Sequence, residues 1–172
     1  MANALTILRL ALIPVLLYFM FLGYNVVALF VFVLAGLTDW LDGFVARVSG
    51  RVTEFGTLAD PFVDRIFVLS VVIALYLRDG LPSLWALSIF IIRDLLVMLG
   101  YGYLRGQRVK IAVSYLGKRA TACLMISFFF LLGKFAVGLL IFYLGLFLYI
   151  ISGLDYLRKA LGELELKRIG GE

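Results

Sequence analysis

Asp39-Trp40-Leu41-Asp42-Gly43-Phe44-Val45-Ala46-Arg47, followed after eight residues by Gly56 and then by Asp60 and Asp64, is the stretch on which the reading of this chain turns. It places four carboxylates between long apolar runs in a sequence that is 64% hydrophobic. An acid left bare at the centre of a bilayer costs about 2.5–3.5 kcal/mol on insertion scales, so four of them need partners. Carboxylates clustered without matching bases are most cheaply satisfied by hard divalent cations, which take oxygen ligands. The stretch is therefore a candidate metal site at a membrane.

The apolar runs on either side decide the fold class. A mean hydropathy of +1.09 and 16% charged residues exclude an ordinary soluble domain, where about 25% charged is typical. A membrane-spanning helix needs about 20 apolar residues. Runs of that kind fall near residues 5–22, 26–45, 58–77, 84–104, 116–132 and 135–151, separated by short segments rich in Gly, Asn, Pro and charge. The expectation is an all-α, polytopic membrane protein of six transmembrane helices, one domain over residues 1–172. The first run begins close to Met1 without a small-residue cleavage site, and reads as a retained helix. Residues 154–172 space Leu154, Leu157 and Leu161 at helical intervals and read as an interfacial amphipathic tail.

Charge placement orients the bundle. Arg47, Arg51, Arg105, Arg108, Lys110, Lys118, Arg119, Arg158, Lys159, Lys167 and Arg168 fall on one side, and only Arg78 and Lys134 on the other. By the positive-inside rule both termini and the aspartate run are cytoplasmic. The net charge of +5 is then topogenic and suited to anionic headgroups, with no nucleic-acid partner required. The chain has no histidine and a single cysteine, Cys123, which excludes His-ligated metals, Ser-His-Asp chemistry and an internal disulfide.

Helical spacing sharpens the acids. Asp39 and Asp42 are separated by three residues and Asp60 and Asp64 by four, so each pair shares a helix face. A hairpin of the two helices would set the pairs across one pocket. Four carboxylates suit two cations, Mg²⁺ or Mn²⁺, about 3.5–4 Å apart, the arrangement used in phosphoryl chemistry. Gly43, Ala46 and Gly56 leave room for a ligand, and Arg47 can pair with a phosphate or hold a ligating carboxylate. Two other readings compete: acids paired with Arg9, Arg65 or Arg93 in a structural bundle, or an ion path in a small ion-coupled transporter. Between helices 4 and 5, Arg105, Arg108, Lys110, Lys118 and Arg119 form a basic cluster: Lys118 and Arg119 open helix 5 and suit an anionic acceptor phosphate, while topogenic charge is the plainer reading of Arg105 and Arg108. Arg93-Asp94 inside helix 4 reads either as an ion pair or as a further phosphate contact. Gly100, Gly102, Gly138 and Gly145 read as helix-packing sites, Cys123 as a small buried residue, and Tyr143, Phe147 and Tyr149 as lipid-facing or core aromatics.

The pattern D-x2-D-G-x2-A-R-x8-G-x3-D-x3-D resembles that of the CDP-alcohol phosphotransferases, membrane enzymes of phospholipid synthesis. Asp39, Asp42, Gly43, Ala46, Arg47, Gly56, Asp60 and Asp64 match its fixed positions. Asn3-x-x-Thr6-x-x-Arg9 is similar to the family's amino-terminal segment. The resemblance implies transfer of a phosphatidyl group from CDP-diacylglycerol to an alcohol with release of CMP. It further implies that Asp39, Asp42, Asp60 and Asp64 hold two divalent cations, with Asp64 also the base on the acceptor hydroxyl. Asp42, Gly43, Ala46, Arg47 and Gly56, with Thr6 and Arg9, would bind the nucleotide, and Lys118, Arg119, Arg93 and Arg108 the acceptor phosphate. Thr53-Glu54-Phe55-Gly56 and Asp60-Pro61-Phe62-Val63-Asp64-Arg65 look like the branch whose members make phosphatidylglycerophosphate or cardiolipin. The acceptor is accordingly glycerol 3-phosphate or, as the alternative, phosphatidylglycerol. Gly117-Lys118-Arg119-Ala120-Thr121 matches a segment common in the first group except that Ala120 stands for a lysine. A homodimer in a prokaryotic cell membrane is the family's implied setting.

Overall fold

The computed structural model describes residues 2–49, 54–106 and 115–169, and their side chains except at 2–6, 39, 40, 42–49, 54–62, 101, 105 and 165–169. Within these residues the chain forms six helices: α1 Ala2–Phe21, α2 Asn25–Ser49, α3 Glu54–Asp79, α4 Leu84–Gly106, α5 Tyr115–Leu132 and α6 Val137–Ile169. The helices run past the apolar runs that foretold them. α2 continues through the first acid pair to Ser49, α3 begins at Glu54, and α6 carries on without a break into the leucine-spaced tail. Hydropathy marks the greasy length of a helix, whereas backbone hydrogen bonding carries the helix into its polar turns.

Among the described residues, three helical stretches are long and apolar enough to cross a membrane: Leu84–Leu104, Tyr115–Leu132 and Val137–Leu164. Ile7–Phe21 and Asn25–Thr38 are shorter apolar stretches. Ile7–Phe21 begins, and Asn25–Thr38 ends, where the described side chains do, so neither measures the full apolar length of its helix.

Glycine and local hydrogen bonds make the turns. Gly23 ends α1 at φ 78°, with its N–H on the Met20 carbonyl and the Tyr24 N–H on the Phe19 carbonyl. This is the double closure of a helix C-terminus that needs a left-handed residue. Lys134 takes the same role after α5 at φ 62°, and the Phe135 N–H returns to the Phe130 carbonyl. α5 and α6 then pack backbone to backbone. A Cβ on Gly138 would lie 2.8 Å from the Leu131 nitrogen, and one on Gly145 would lie 3.3 Å from the Leu124 nitrogen. Gly100 only touches the Tyr156 ring, and Gly102 faces open space, so the expected packing role holds for two of the four glycines. Cys123 is half-buried rather than buried, its thiol 3.6 Å from the Ile141 carbonyl. The aromatic stripe of α6 splits: Tyr149 is buried, Phe147 is exposed, and Tyr143 stacks on Trp85 at 5.5 Å.

The core gathers Leu16 and Met20 of α1, Val71, Val72 and Leu75 of α3, Phe90 of α4, Phe128 of α5 and Phe142 of α6. Arg78 ties one end of this core together. Its guanidinium donates to the Met20 carbonyl at 3.1 Å, to Asn25 Oδ1 at 3.0 Å and to Asp79 at 2.6 and 3.0 Å. Lys134 closes on the other oxygen of Asp79 at 2.5 Å. The two cations that charge counting assigned to the side opposite the aspartates are thus bound to one carboxylate, which links the ends of α1 and α3 with the α5–α6 turn.

Burial alone would raise the Asp79 pKa, but hydrogen bonds and charge from Arg78 and Lys134 outweigh it and hold the carboxyl below its ordinary value. A depressed folded pKa means stability that is present above the unfolded value and lost as pH falls through the folded one. Asp79→Asn is accordingly expected to lower the melting temperature in detergent at neutral pH by about 2–4 °C. The gap to the wild type should close below about pH 4. A gap that persists unchanged in acid would rule out this linkage.

Candidate active site

The acid pairs sit in helix, as their spacing demands. Asp39 and Asp42 lie in the last three turns of α2, and Asp60 and Asp64 in the first three turns of α3. The two helices are antiparallel: Arg78 near the end of α3 reaches Asn25 at the start of α2, and Phe32 and Phe67 stack at 5.7 Å part-way along. That stack sets the register. Asp39 follows Phe32 by seven residues and Asp60 precedes Phe67 by seven, which is two turns in each direction. Two turns return each chain to nearly the same face, so both positions fall at one level about 10 Å from the stack. The side chains of Asp39, Asp42, Asp60, Gly43, Ala46, Arg47, Gly56 and Thr6 lie outside those described, and so does Arg108 altogether.

Asp64 is the acid whose surroundings are described. It is half-exposed, and the buried Arg9 of α1 donates its Nη1 to Asp64 Oδ1. α1 runs parallel to α3, with Arg9 beside Asp64 and Met20 beside Arg78, and it packs on both α2 and α3. The sequence groups Arg9 with the nucleotide-binding residues; the structure sets it against the last acid of the motif, one of the pairings weighed as a structural alternative. Arg65 and Arg93, the other bases weighed there, turn away from the aspartate run and meet at Asp94.

That second cluster is the part sequence reasoning saw least of. Arg65 Nη1 and Arg93 Nη1 each donate to Asp94 Oδ1 at 3.1 Å. The Tyr149 hydroxyl donates to the same oxygen and accepts from Arg65 Nη1. Arg93 lies over the Tyr149 ring, 3.7 Å from its centroid, and reaches Ser152 Oγ at 3.2 Å. Gly153 makes the room, since a Cβ there would come within 3.1 Å of Arg93 Nε. Asp94 is 1% exposed, and its second oxygen has no partner among the described residues. The Arg93-Asp94 ion pair was legible as a possibility. Tyr149 and Ser152 were not, although Tyr149, Ser152 and Gly153 share one face of α6 at helical spacing, a polar patch in an apolar helix.

Lys118 and Arg119 are exposed near the start of α5, with Lys118 Nζ 5.8 Å from the Tyr115 ring centroid. Arg93 lies 13 residues before the end of α4, while Lys118 lies three residues after the start of α5. These members of the expected acceptor site therefore stand at different depths.

Among the described residues no group of three or more His, Cys, Asp or Glu comes together as a metal site. The donor set of the motif nonetheless suits a hard cation. It is all carboxylate, and the helical register brings Asp39 and Asp60 to one level.

The model of the CDP-alcohol phosphatidyltransferase family matches residues 1–151. The chain belongs to that family. It is therefore a transferase, and divalent cations are the family's metal requirement. Relatives of this phosphatidyltransferase extend over almost its whole length. The CDP-diacylglycerol–glycerol-3-phosphate 3-phosphatidyltransferase of Rickettsia typhi is 33% identical over 168 residues, covering 91% of this chain and 94% of its own. The protein of the same description from Salmonella choleraesuis is 30% identical, covering 93% and 94%. A cardiolipin synthase (CMP-forming) of Streptomyces coelicolor is 40% identical over a shorter stretch, 59% of this chain and 47% of its own.

Proposed function

We propose that this phosphatidyltransferase moves the phosphatidyl group of CDP-diacylglycerol to glycerol 3-phosphate, releasing CMP, at the cytoplasmic mouth of a six-span bundle with both termini cytoplasmic. End-to-end similarity to relatives named for that acceptor is the observation that carries the reading. The skewed distribution of Lys and Arg supports the orientation.

In this reading Asp39, Asp42, Asp60 and Asp64 hold two divalent cations, Mg²⁺ or Mn²⁺. Bound there, the cations neutralise the diphosphate and stabilise charge on the leaving group. Gly43, Ala46 and Gly56 give the cytidine diphosphate a close approach to α2 and α3, and Arg47 pairs with a phosphate oxygen. Thr6 and Arg9 of α1 would bind the same ligand, Arg9 from its place beside Asp64. Asp64 accepts the proton of the acceptor hydroxyl as that oxygen bonds to the phosphatidyl phosphorus. The bond between that phosphorus and the bridging oxygen breaks, and the electron pair leaves with CMP, so no covalent enzyme intermediate is needed. Lys118 and Arg119 at the start of α5, with Arg108, meet the acceptor phosphate. Arg93 is held by Asp94 and Ser152 and would join them only by exchanging partners.

Phosphatidylglycerol as acceptor is the second reading, favoured by the higher local identity to the cardiolipin synthase. The two separate in one assay. Purified protein with CDP-diacylglycerol and Mg²⁺ is expected to release CMP when glycerol 3-phosphate is added. Release with phosphatidylglycerol alone would transfer the chain to the second reading, and release with neither would overturn both.

A further inference from the structure

Asp64 and Arg65 are consecutive in α3, so their side chains leave the helix about 100° apart. Arg9 of α1 takes the first, and Asp94 of α4 with Tyr149 of α6 takes the second. The helix that carries the last acid of the motif is thereby gripped from both flanks at one level.

We propose that the Asp94–Tyr149–Arg65 network is a positioning device that fixes the rotation of α3 and with it the aim of Asp64. The inference rests on the reading of Asp64 as the base. The network has the character such a device needs. Asp94 is buried and takes three donors on one oxygen, from three helices, so its geometry is over-determined. Tyr149 is itself fixed, stacked on Phe90 at 5.1 Å and covered by the Arg93 guanidinium. Two guanidiniums share one carboxylate, and the ring face of Tyr149 absorbs part of the surplus charge. Arg65 Nη1 is therefore held between Asp94 and Tyr149, two groups that are themselves fixed by packing. Its sensitivity to rotation is large: turning a helix by about 20° swings a side-chain tip at a radius of about 5–6 Å through about 2 Å. A misplacement of about 1 Å can cost a reaction about a hundredfold.

Tyr149→Phe tests this with the least disturbance, because the ring keeps its stack on Phe90 and its place under Arg93. The expected result is a fall in kcat of about tenfold with KM for CDP-diacylglycerol and glycerol 3-phosphate unchanged. Loss of one donor to the buried Asp94 should lower the melting temperature in detergent by only about 2–8 °C, leaving the protein folded at the assay temperature. If the hydroxyl acts through Arg65, the double variant Tyr149→Phe/Arg65→Gln should lose no more than Arg65→Gln alone. Wild-type kcat in Tyr149→Phe, or losses that multiply in the double variant, would overturn the proposal. Asp64→Asn, measured alongside, keeps the two ideas apart. An inactive Asp64→Asn with a fully active Tyr149→Phe removes the positioning role and leaves the base. An active Asp64→Asn removes both.

Discussion

Asp64→Asn is expected to lower kcat for CMP release by about a thousandfold, the middle of the range for loss of a positioned proton acceptor. The substitution keeps the shape of the side chain and removes its charge and its basicity. Asp64 is the acid of the motif whose partner is described, and that partner sharpens the test. Arg9 is buried at 2% exposure and donates to the Asp64 carboxylate. An amide in place of that carboxylate would weaken the charge pairing of a buried guanidinium, so the variant loses stability as well as a base. The two losses are separable. Arg9→Gln/Asp64→Asn removes both members and should recover melting temperature relative to Asp64→Asn, yet recover no activity. Asp64→Glu retains a carboxylate one methylene farther out and should keep a fraction of the rate. Activity that tracks melting temperature through this series would mean that Asp64 serves only to hold α1 against α3.

The series also shows how far residues alone could take the reading. The four acids were legible because they are local: spacings of three and four in a helix put them on shared faces whatever surrounds them. The six helices were legible because apolar runs end at Gly23, Asp79-Gly80 and Gly133, where hydropathy and turn chemistry change together. Long-range pairing was not. Arg9 meets Asp64 across 55 positions, and Asp94 meets Tyr149 across another 55. No periodicity in the sequence records which side of α1 or α6 faces α3. Tyr149 looked like its neighbours Tyr143 and Phe147, yet one is in the core and one faces outward, because a stripe spaced by four and two does not hold to a single helix face. The sequence allows Arg93 either an ion pair or a phosphate contact, and the seat that Gly153 and Ser152 form for it lies on another helix, beyond the reach of local spacing.

Removal of divalent cations carries the second large effect. In this reading four carboxylates share the mouth of the bundle and repel one another, and the motif's own stretch offers them only Arg47 and Arg51 as bases. Added Mg²⁺ should therefore stabilise the protein even without substrate. At a concentration about 100 times its Kd a single-site ligand contributes about 2.7 kcal/mol. For a chain of this size that is about 5–11 °C in melting temperature. Chelation should abolish CMP release, and Mg²⁺ or Mn²⁺ should restore it. Asp60→Asn and Asp39→Asn discriminate further, because the Phe32–Phe67 stack puts the two positions at one level. Both should remove most of the thermal shift, whereas a pair of acids merely repelling each other would be relieved by either change and the apo protein would become more stable. Arg9 gives the shift a second signature. It already neutralises part of the charge on Asp64, so Arg9→Gln should leave the acids more repulsive and enlarge the Mg²⁺-induced shift. An unchanged melting temperature in Mg²⁺ for the wild type, with activity surviving chelation, would return the aspartates to a structural role and take the two-cation assignment with it.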